Sequence, residues 1–540
     1  MSAFISTLGR ATAWLDDRIN PIMVKELRQA VKSRFVVSVL LFMLIVLVIT
    51  LLLFVINSPH LGTASNDDGG DLFMIFQATL LGLCMLFVPL YVGARLAAER
   101  SSDTSDLLYV TTIRPSSIVW GKLVTGMAIA GLFFAVCVPF MVVTYLLRGI
   151  DPPTILFVLA IDLGVVLSSA MLAIFIGALP VGWPVKVLLG FIMAGASFMT
   201  YIGISSVLMW EILTTGIGSS IADPEFWWSA LGMGTFWLSL IGLFFFLAVA
   251  MISPATSNRA LPLRLYITVA WVISLGVFVE VSRRVSPGGG EPMTAWAMGW
   301  AYVLLPAMVL ATSERDVLGP RIKRAIPRNG LLRMPAFLLY SGAGAGLLWA
   351  TGLFALTLVA AQLSGAWLEG SSLPFGHAGD YHAWRFFSLI KLGVTGLFVL
   401  GYALLGVLLR RMFFRGRPKL ETSTAAVVLA IMAVAIVVPV IIAYLMSPRH
   451  WDQNEELWLI LSPFGPLAHR GLGGSFSPFD FVLLCVAGSL ALFGLLVNAR
   501  WFTRQISAFQ PLSTKPDAKQ EAAPSAPPTM PEATDEASHG

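Results

Sequence analysis

The chain has 540 residues, of which 57% are hydrophobic and 12% charged, about half the charged fraction of an average soluble domain. The apolar residues fall in runs of roughly twenty, the length of helix that crosses about 30 Å of hydrocarbon, so the composition excludes a string of water-soluble domains and predicts an all-α, polytopic integral membrane protein. The net charge of +5 does not indicate a nucleic-acid partner, because Lys and Arg lie in short segments between apolar runs, where they orient a protein in the bilayer.

Residues 1–34 precede the first apolar run and are expected to form a cytoplasmic segment that ends in an amphipathic helix. Asn20 and Pro21 are a favourable helix start, a capping side chain followed by a ring already set at helical φ. The helix would carry apolar residues on one side and basic residues on the other, and would lie along the headgroup surface; a merely basic, solvated flank is the alternative. Its apolar side is Met23, Leu27, Ala30 and Val31, and its polar positions include Lys25, Glu26, Arg28, Lys32 and Arg34.

About twelve transmembrane helices are predicted, and the first is expected to be a retained span rather than a cleaved signal peptide. Pro180 and Pro184 bracket a very short connection between the fourth and fifth spans, which a kinked or re-entrant segment would also fit. The predicted spans are 35–56, 72–94, 122–147, 154–180, 185–209, 226–252, 262–282, 293–312, 336–363, 386–409, 423–446 and 478–499.

Basic residues alternate between successive loops, as the positive-inside rule requires. They are plentiful before the first span, whereas the next loop, residues 57–71, has no Lys or Arg and three Asp. This alternation places both termini in the cytoplasm, with the plasma (inner) membrane as the expected location. Arg283 and Arg284 are the exceptions, since they fall in a loop predicted to be outside.

The loop between the second and third spans, ARLAAERSSDTSDLLYVTTIRPSSIVWGKLVTG, residues 94–126, predicts a short cytoplasmic helix. Residues 101–106 supply capping oxygens for a helix through residues 107–110, and residues 111–115 break it. A short helix with outward apolar residues suits docking into a groove on another protein.

This loop resembles the cytoplasmic loop of permeases of the type 2 (exporter) class of ABC transporters. In that family an acidic residue and Arg are followed by Thr, a Leu pair, a Thr pair and a Gly-Lys that enters the third span. Residues 20–29, NPIMVKELRQ, likewise resemble the elbow helix before the family's first span. The matching loop positions are Glu99, Arg100, Thr104, Leu107, Leu108, Thr111, Thr112, Gly121 and Lys122.

The resemblance implies a transmembrane permease subunit of an ATP-driven exporter, in which a separate ABC ATPase docks on the loop and the elbow helix. The coupling residues would be the matching positions together with Tyr109. The chain itself is expected to be no enzyme and to bind no cofactor, because its Gly121-Lys122 is followed by Leu123 and lacks the upstream Gly of a phosphate-binding loop. ATP would lie on the partner subunit, and the permease would act as a homodimer or with a sister permease.

The resemblance covers about residues 15–255, so residues 35–255 are interpreted as one six-span permease unit. Residues 256–510 form a second block of about six transmembrane helices whose loops carry no clear copy of either motif. They are either spans added to a single unit, which the sequence favours, or a second unit fused in tandem. Residues 511–540, rich in Pro, Ala, Glu, Ser and Thr, are expected to be a disordered cytoplasmic tail.

Asp162 falls within the fourth span, where an ionised carboxylate is costly, and is therefore a candidate intramembrane polar site with Arg148 or Lys186 as partner. A position near the outer interface is the alternative. His377, Asp380, His382 and His469 lie in predicted outer loops, but their spacing matches no metal motif, so no metal site is expected. Lys391, near the outer end of the tenth span, is expected to snorkel.

Two rival functions remain open from the sequence. A secondary transporter also uses about twelve spans, and it predicts two related halves with several buried charges near the midplane. A membrane-embedded transferase or hydrolase would need catalytic polar groups that converge at the interface.

Overall fold

The computed structural model describes residues 21–57, 66–101, 114–147, 150–214, 221–254, 256–285, 291–369, 381–413, 423–446, 459–469 and 477–511. Within these ranges the chain forms sixteen helices and no β-strand. Twelve of the helices are long and apolar enough to cross a membrane. The predicted all-α, polytopic membrane architecture is confirmed.

The helices follow from local composition, because a chain in hydrocarbon must satisfy its backbone hydrogen bonds within each segment. The twelve long helices are α2 (Arg34–Asn57), α3 (Asn66–Ser101), α4 (Pro115–Leu146), α5 (Pro152–Ala178), α6 (Trp183–Thr214), α7 (Pro224–Ile252), α8 (Ala260–Val285), α9 (Glu291–Ala311), α12 (Ala343–Glu369), α13 (Tyr381–Phe413), α14 (Thr424–Met446) and α16 (Pro478–Ala508). The four short helices are α1 (Pro21–Val31), α10 (Pro320–Arg324), α11 (Gly330–Leu339) and α15 (Gly465–Ala468).

Two predicted span starts are wrong. The third span begins at Pro115, well before residue 122, because a proline at the first helical position starts the helix among polar residues that hydropathy excludes. The ninth span does not run from residue 336: the chain leaves helix α11 at Tyr340 and begins α12 at Ala343. The break is held by side chains, since Asn258 Oδ1 accepts the Ser341 N–H at 3.1 Å and Glu314 accepts the Gly342 N–H at 2.6 Å.

The buried apolar side chains form two main clusters. One is built by α1 to α7 and the other by α8 to α16, and a small third cluster joins the α10–α11 segment to Phe509. The clusters meet along α7 and α8, where the Tyr266 ring stacks on Phe246 at 4.7 Å and its hydroxyl donates to the Ser239 carbonyl at 3.0 Å. Gly242 makes this approach possible, because any side chain there would overlap the Tyr266 ring.

The loop residues predicted to be cytoplasmic meet one another at one end of the bundle. Arg100 reaches the carbonyls of Ala178 and Met251, and Arg410 reaches the carbonyl of Thr312. We call this end, which also carries α1, the basic end. At the other end, Arg283 and Arg284 both pair with Glu280, at 3.1 and 2.8 Å, which partly neutralises the two exceptions to the charge pattern.

Candidate functional site

A buried lysine joins three helices at the basic end. The side chain of Lys122, two turns into α4, is only 2% exposed, and its Nζ donates to Glu26 Oε1 of α1 at 2.6 Å and to Glu99 Oε1 of α3 at 2.7 Å. We call these three residues the Lys122 cluster. An ammonium group removed from water is stable only when it is paired and hydrogen-bonded, so the two carboxylates account for its burial.

Helical spacing brings the cluster together. Glu26 and Ala30, four residues apart on α1, are both buried and form the face that packs on α4. Helices α3 and α4 pack along one another, and a methyl group at Gly126 would lie within ordinary contact distance of Val92. The carboxylate of Glu99, in the last turn of α3, therefore reaches Lys122.

A second contact holds α1 on α3. Arg95 donates from Nη2 to Gln29 Oε1 at 2.7 Å and from Nη1 to the Tyr91 hydroxyl at 3.2 Å. Its guanidinium carbon also lies 5.6 Å from the centre of the Tyr91 ring, within the range of a cation–π interaction. The N-terminal helix is thus tied to both helices that flank residues 102–113.

Arg100 links the end of α3 to two further helices. Its Nη1 donates to the carbonyl of Ala178, the last residue of α5, and to that of Met251, near the end of α7, the latter at 3.3 Å. The final carbonyls of a helix have no partner within the helix, and a cation there is favourable. The two helices that flank residues 102–113 are therefore both anchored near that segment, α3 through Arg100 and α4 through Lys122.

The predicted coupling and elbow residues fall into three sets. Glu99, Arg100 and Lys122 lie together at the basic end, whereas Lys25 and Arg28 are exposed on α1, away from the face that packs. Pro21 opens α1, and Val31, expected on the apolar side, is exposed. The others, Asn20, Thr104, Leu107, Leu108, Tyr109, Thr111 and Thr112, lie outside the described residues.

Asp162 is fully buried against Gln77 of α3. Gln77 Nε2 donates to both carboxylate oxygens, at 3.0 and 3.3 Å. The candidate partner Lys186 instead donates to the Gly177 carbonyl at 3.1 Å, and Arg148 lies outside the described residues. Sequence reasoning missed Gln77, although an amide within an apolar run is itself a signal of interhelical hydrogen bonding.

Two acidic residues after α9, which sequence reasoning also missed, organise the basic end of the second half. Asp316 accepts from Arg410 Nη2 at 2.6 Å, from Trp501 Nε1 at 3.2 Å and from Gln505 Nε2 at 2.7 Å. Glu314 pairs with Arg264, which is buried in the first turns of α8. In the sequence, the signal for these two acidic residues is weak: they lie in a loop whose Lys and Arg indicate only membrane orientation.

The opposite end carries a smaller polar group. Lys391 is buried and donates to the His469 carbonyl at 3.1 Å, so the expected snorkelling is wrong. His469 Nδ1 lies 3.5 Å from the carboxylate of Asp480, which caps α16 together with Ser477. The described residues contain no group of three or more His, Cys, Asp or Glu that could hold a metal ion; His377, Asp380 and the side chain of His382 lie outside them.

Comparison with known proteins adds no relative. No protein-family model, curated protein or solved structure matches the chain. The likeness to ABC permeases stays a prediction from the loop and elbow motifs.

Proposed function

We propose that this chain is the transmembrane permease of an ATP-driven ABC exporter and couples ATP hydrolysis by a separate ATPase subunit to export across the plasma membrane. The Lys122 cluster is the observation that carries the proposal. The loop motif supplies Glu99 and Lys122, the elbow motif supplies Glu26, and one buried ammonium group joins them.

Coupling requires that a force on the loop move the spans. Removing one partner of a buried ion pair costs about 3–5 kcal/mol, so the Lys122 cluster is a stiff link among α1, α3 and α4. Arg100 extends the link to the ends of α5 and α7. A motor that displaced residues 102–113 would thus act on most helices of the first half at once.

The motor must be a separate subunit in this proposal, because the sequence offers no phosphate-binding loop of its own. The same end presents exposed basic residues on α1, Lys25 and Arg28, to a partner or to anionic headgroups. Residues 102–113 would fill a groove on the ATPase with Leu107, Leu108 and Tyr109.

One observation favours the rival secondary transporter. Asp162 and Gln77 form a fully buried polar pair within the spans, and intramembrane carboxylates often belong to proton or ion pathways. A transporter of that kind would depend on the proton gradient and would have no need of an ATPase.

Purification of the tagged full-length chain from its native membranes tests the proposal. We expect an ABC ATPase to copurify and its hydrolysis to depend on the permease in nanodiscs. Leu107→Asp and Lys122→Met should each abolish that dependence. Lys186→Met removes another buried lysine at the basic end and should preserve it.

Two results would contradict the exporter function. One is a purified chain that carries no ATPase under crosslinking conditions, together with wild-type behaviour of Leu107→Asp. The other is transport that collapses with the proton gradient while ATP is plentiful, which would support the secondary transporter.

A further inference from the structure

The six spans of each half pack in the same order. In the first half, the second span (α3) packs on the first, third, fourth and fifth; the fourth (α5) also packs on the third, fifth and sixth; and the third (α4) also contacts the first and sixth. The second half, with α8, α9, α12, α13, α14 and α16 as its six spans, has the same set of packed pairs.

The agreement extends to spans that are adjacent in the chain but not in space. The fifth and sixth spans make no extended contact in either half, among the described residues, although they are consecutive. Chain connectivity alone would favour that contact. Within the described helices, α7 and α8 make the one extended contact between the halves.

Each half also has a short helix at the basic end in the same place. Helix α1 packs on the first and third spans of its half, α2 and α4, and helix α11 packs on the first and third spans of its own, α8 and α12. The two helices come from different points of the sequence, since α1 precedes a first span and α11 precedes a third span. The two helices occupy equivalent places in the fold but different places in the sequence, which explains why no second elbow motif is visible.

Equivalent polar contacts tie the end of the second span to the fourth and sixth. In the first half, Arg100 donates to backbone carbonyls of Ala178 and Met251. In the second half, Asp316 accepts from Arg410 near the end of the fourth span and from Trp501 and Gln505 near the end of the sixth. The two residues lie at equivalent positions, but Arg100 is a cation and Asp316 is a carboxylate.

The short helices are likewise bound through charged residues. Glu26 of α1 pairs with Lys122 of the third span. At the end of α11, the carbonyls of Leu338 and Tyr340 accept from Arg264 of the first span, which also pairs with Glu314. Each half therefore has a short helix that charged residues bind to its spans.

We propose that residues 256–510 are a second permease unit fused in tandem with the first, and that residues 315–329 are its coupling segment for a second copy of the ATPase. This inference rests on the proposed function. One chain would then supply both permease units and bind two ATPase subunits, with no twin or sister permease.

The second coupling segment is a folded surface. Ile322 and Ile326 are buried against Ala336, Tyr340 and Phe509. Val317 of the same segment is 77% exposed, and Arg315, Arg321 and Arg324 are exposed as well. Like residues 102–113, this segment connects the second and third spans of its half and carries an apolar residue that a groove on a partner could bind. A second copy of the same ATPase is therefore the partner that its position suits.

Native mass spectrometry of the full-length complex, purified in detergent, counts its subunits. The inference predicts one chain with two ATPase copies. Leu107→Asp and Val317→Asp should each leave one ATPase per chain, and the double variant should leave none. Val181→Asp adds the same charge to an exposed residue of the α5–α6 connection, outside both segments, and should retain two copies.

The outcomes separate this inference from the proposed function. Absence of any ATPase contradicts the proposed function. A complex of two chains with two ATPase copies, or of one chain with one, contradicts the tandem arrangement alone. Val317→Asp that keeps two copies, while Leu107→Asp loses one, shows that the second copy docks elsewhere than residues 315–329.

Discussion

Lys122 of α4 and Glu26 of the N-terminal helix are 96 positions apart in the sequence and form a buried ion pair of 2.6 Å. Glu99 binds the same ammonium group, so Lys122 joins both carboxylates.

Lys122→Met should be the most destabilising single change in the cluster. It retains much of the side-chain volume but leaves Glu26, whose side chain is 10% exposed, as a buried carboxylate without its cation. Breaking a buried pair in this way costs about 3–5 kcal/mol. Unfolding of the full-length protein in nanodiscs measures the loss. Lys186→Met should lower the free energy of unfolding by only about 1 kcal/mol, because the Lys186 ammonium donates to a backbone carbonyl rather than to a carboxylate in the contact given above. Equal losses in the two variants would contradict the special role of Lys122.

The two carboxylates should differ in the same assay. The Glu99 side chain is 39% exposed and remains solvated when its partner changes, whereas that of Glu26 is almost closed off from solvent. Glu26→Gln should therefore lower stability more than Glu99→Gln, by about 1–2 kcal/mol. A larger effect of Glu99→Gln would mean that the elbow helix is not held by this pair.

Arg100→Met should loosen the basic end locally rather than unfold the protein. It removes the donor to the last carbonyls of α5 and α7, so amide exchange should rise at the ends of both helices. Hydrogen–deuterium exchange with mass spectrometry resolves those segments. Arg95→Met removes a contact between α1 and α3, so it is the matched control and should leave the ends of α5 and α7 protected. If both variants raise amide exchange there equally, the effect is not specific to the Arg100 contacts.

The spans, and the alternation of Lys and Arg between successive loops, could be predicted from the sequence because each depends on local composition. The Lys122 cluster could be predicted only in part: the loop motif placed Glu99 and Lys122 together, but the role of Glu26 arises from the packing of α1 on α4. The predicted ninth span begins too early because hydropathy does not register the hydrogen bonds of Asn258 and Glu314 that break the chain at Ser341 and Gly342. The similarity of the two halves is not visible in the sequence, because Arg100 and Asp316 make equivalent contacts but carry opposite charges.

Asp162 and Gln77 should contribute to stability through their hydrogen bonds. Asp162→Asn keeps an acceptor for the Gln77 amide and should leave stability within about 1 kcal/mol of the native value, whereas Asp162→Leu leaves a buried amide unsatisfied and should cost about 1–3 kcal/mol. Unfolding in nanodiscs distinguishes the two variants. If Asp162→Asn abolishes transport while stability is preserved, the carboxylate has a role in translocation beyond the hydrogen bond.

Gly346 allows Arg264 to reach Glu314, and Gly346→Ala should disrupt that pair. A methyl group at position 346 would overlap the Arg264 guanidinium and would crowd Ala311 on α9. Overpacking of this kind costs about 1–3 kcal/mol, and here it would also displace the cation that binds the end of α11 and Glu314. Gly352→Ala is a matched control on the same helix, because a methyl group there meets no atom within 4 Å, and it should be neutral or slightly stabilising. Unfolding measurements on the two variants provide the test. If Gly352→Ala lowers the free energy of unfolding as much as Gly346→Ala does, the effect belongs to α12 in general rather than to the contact with Arg264.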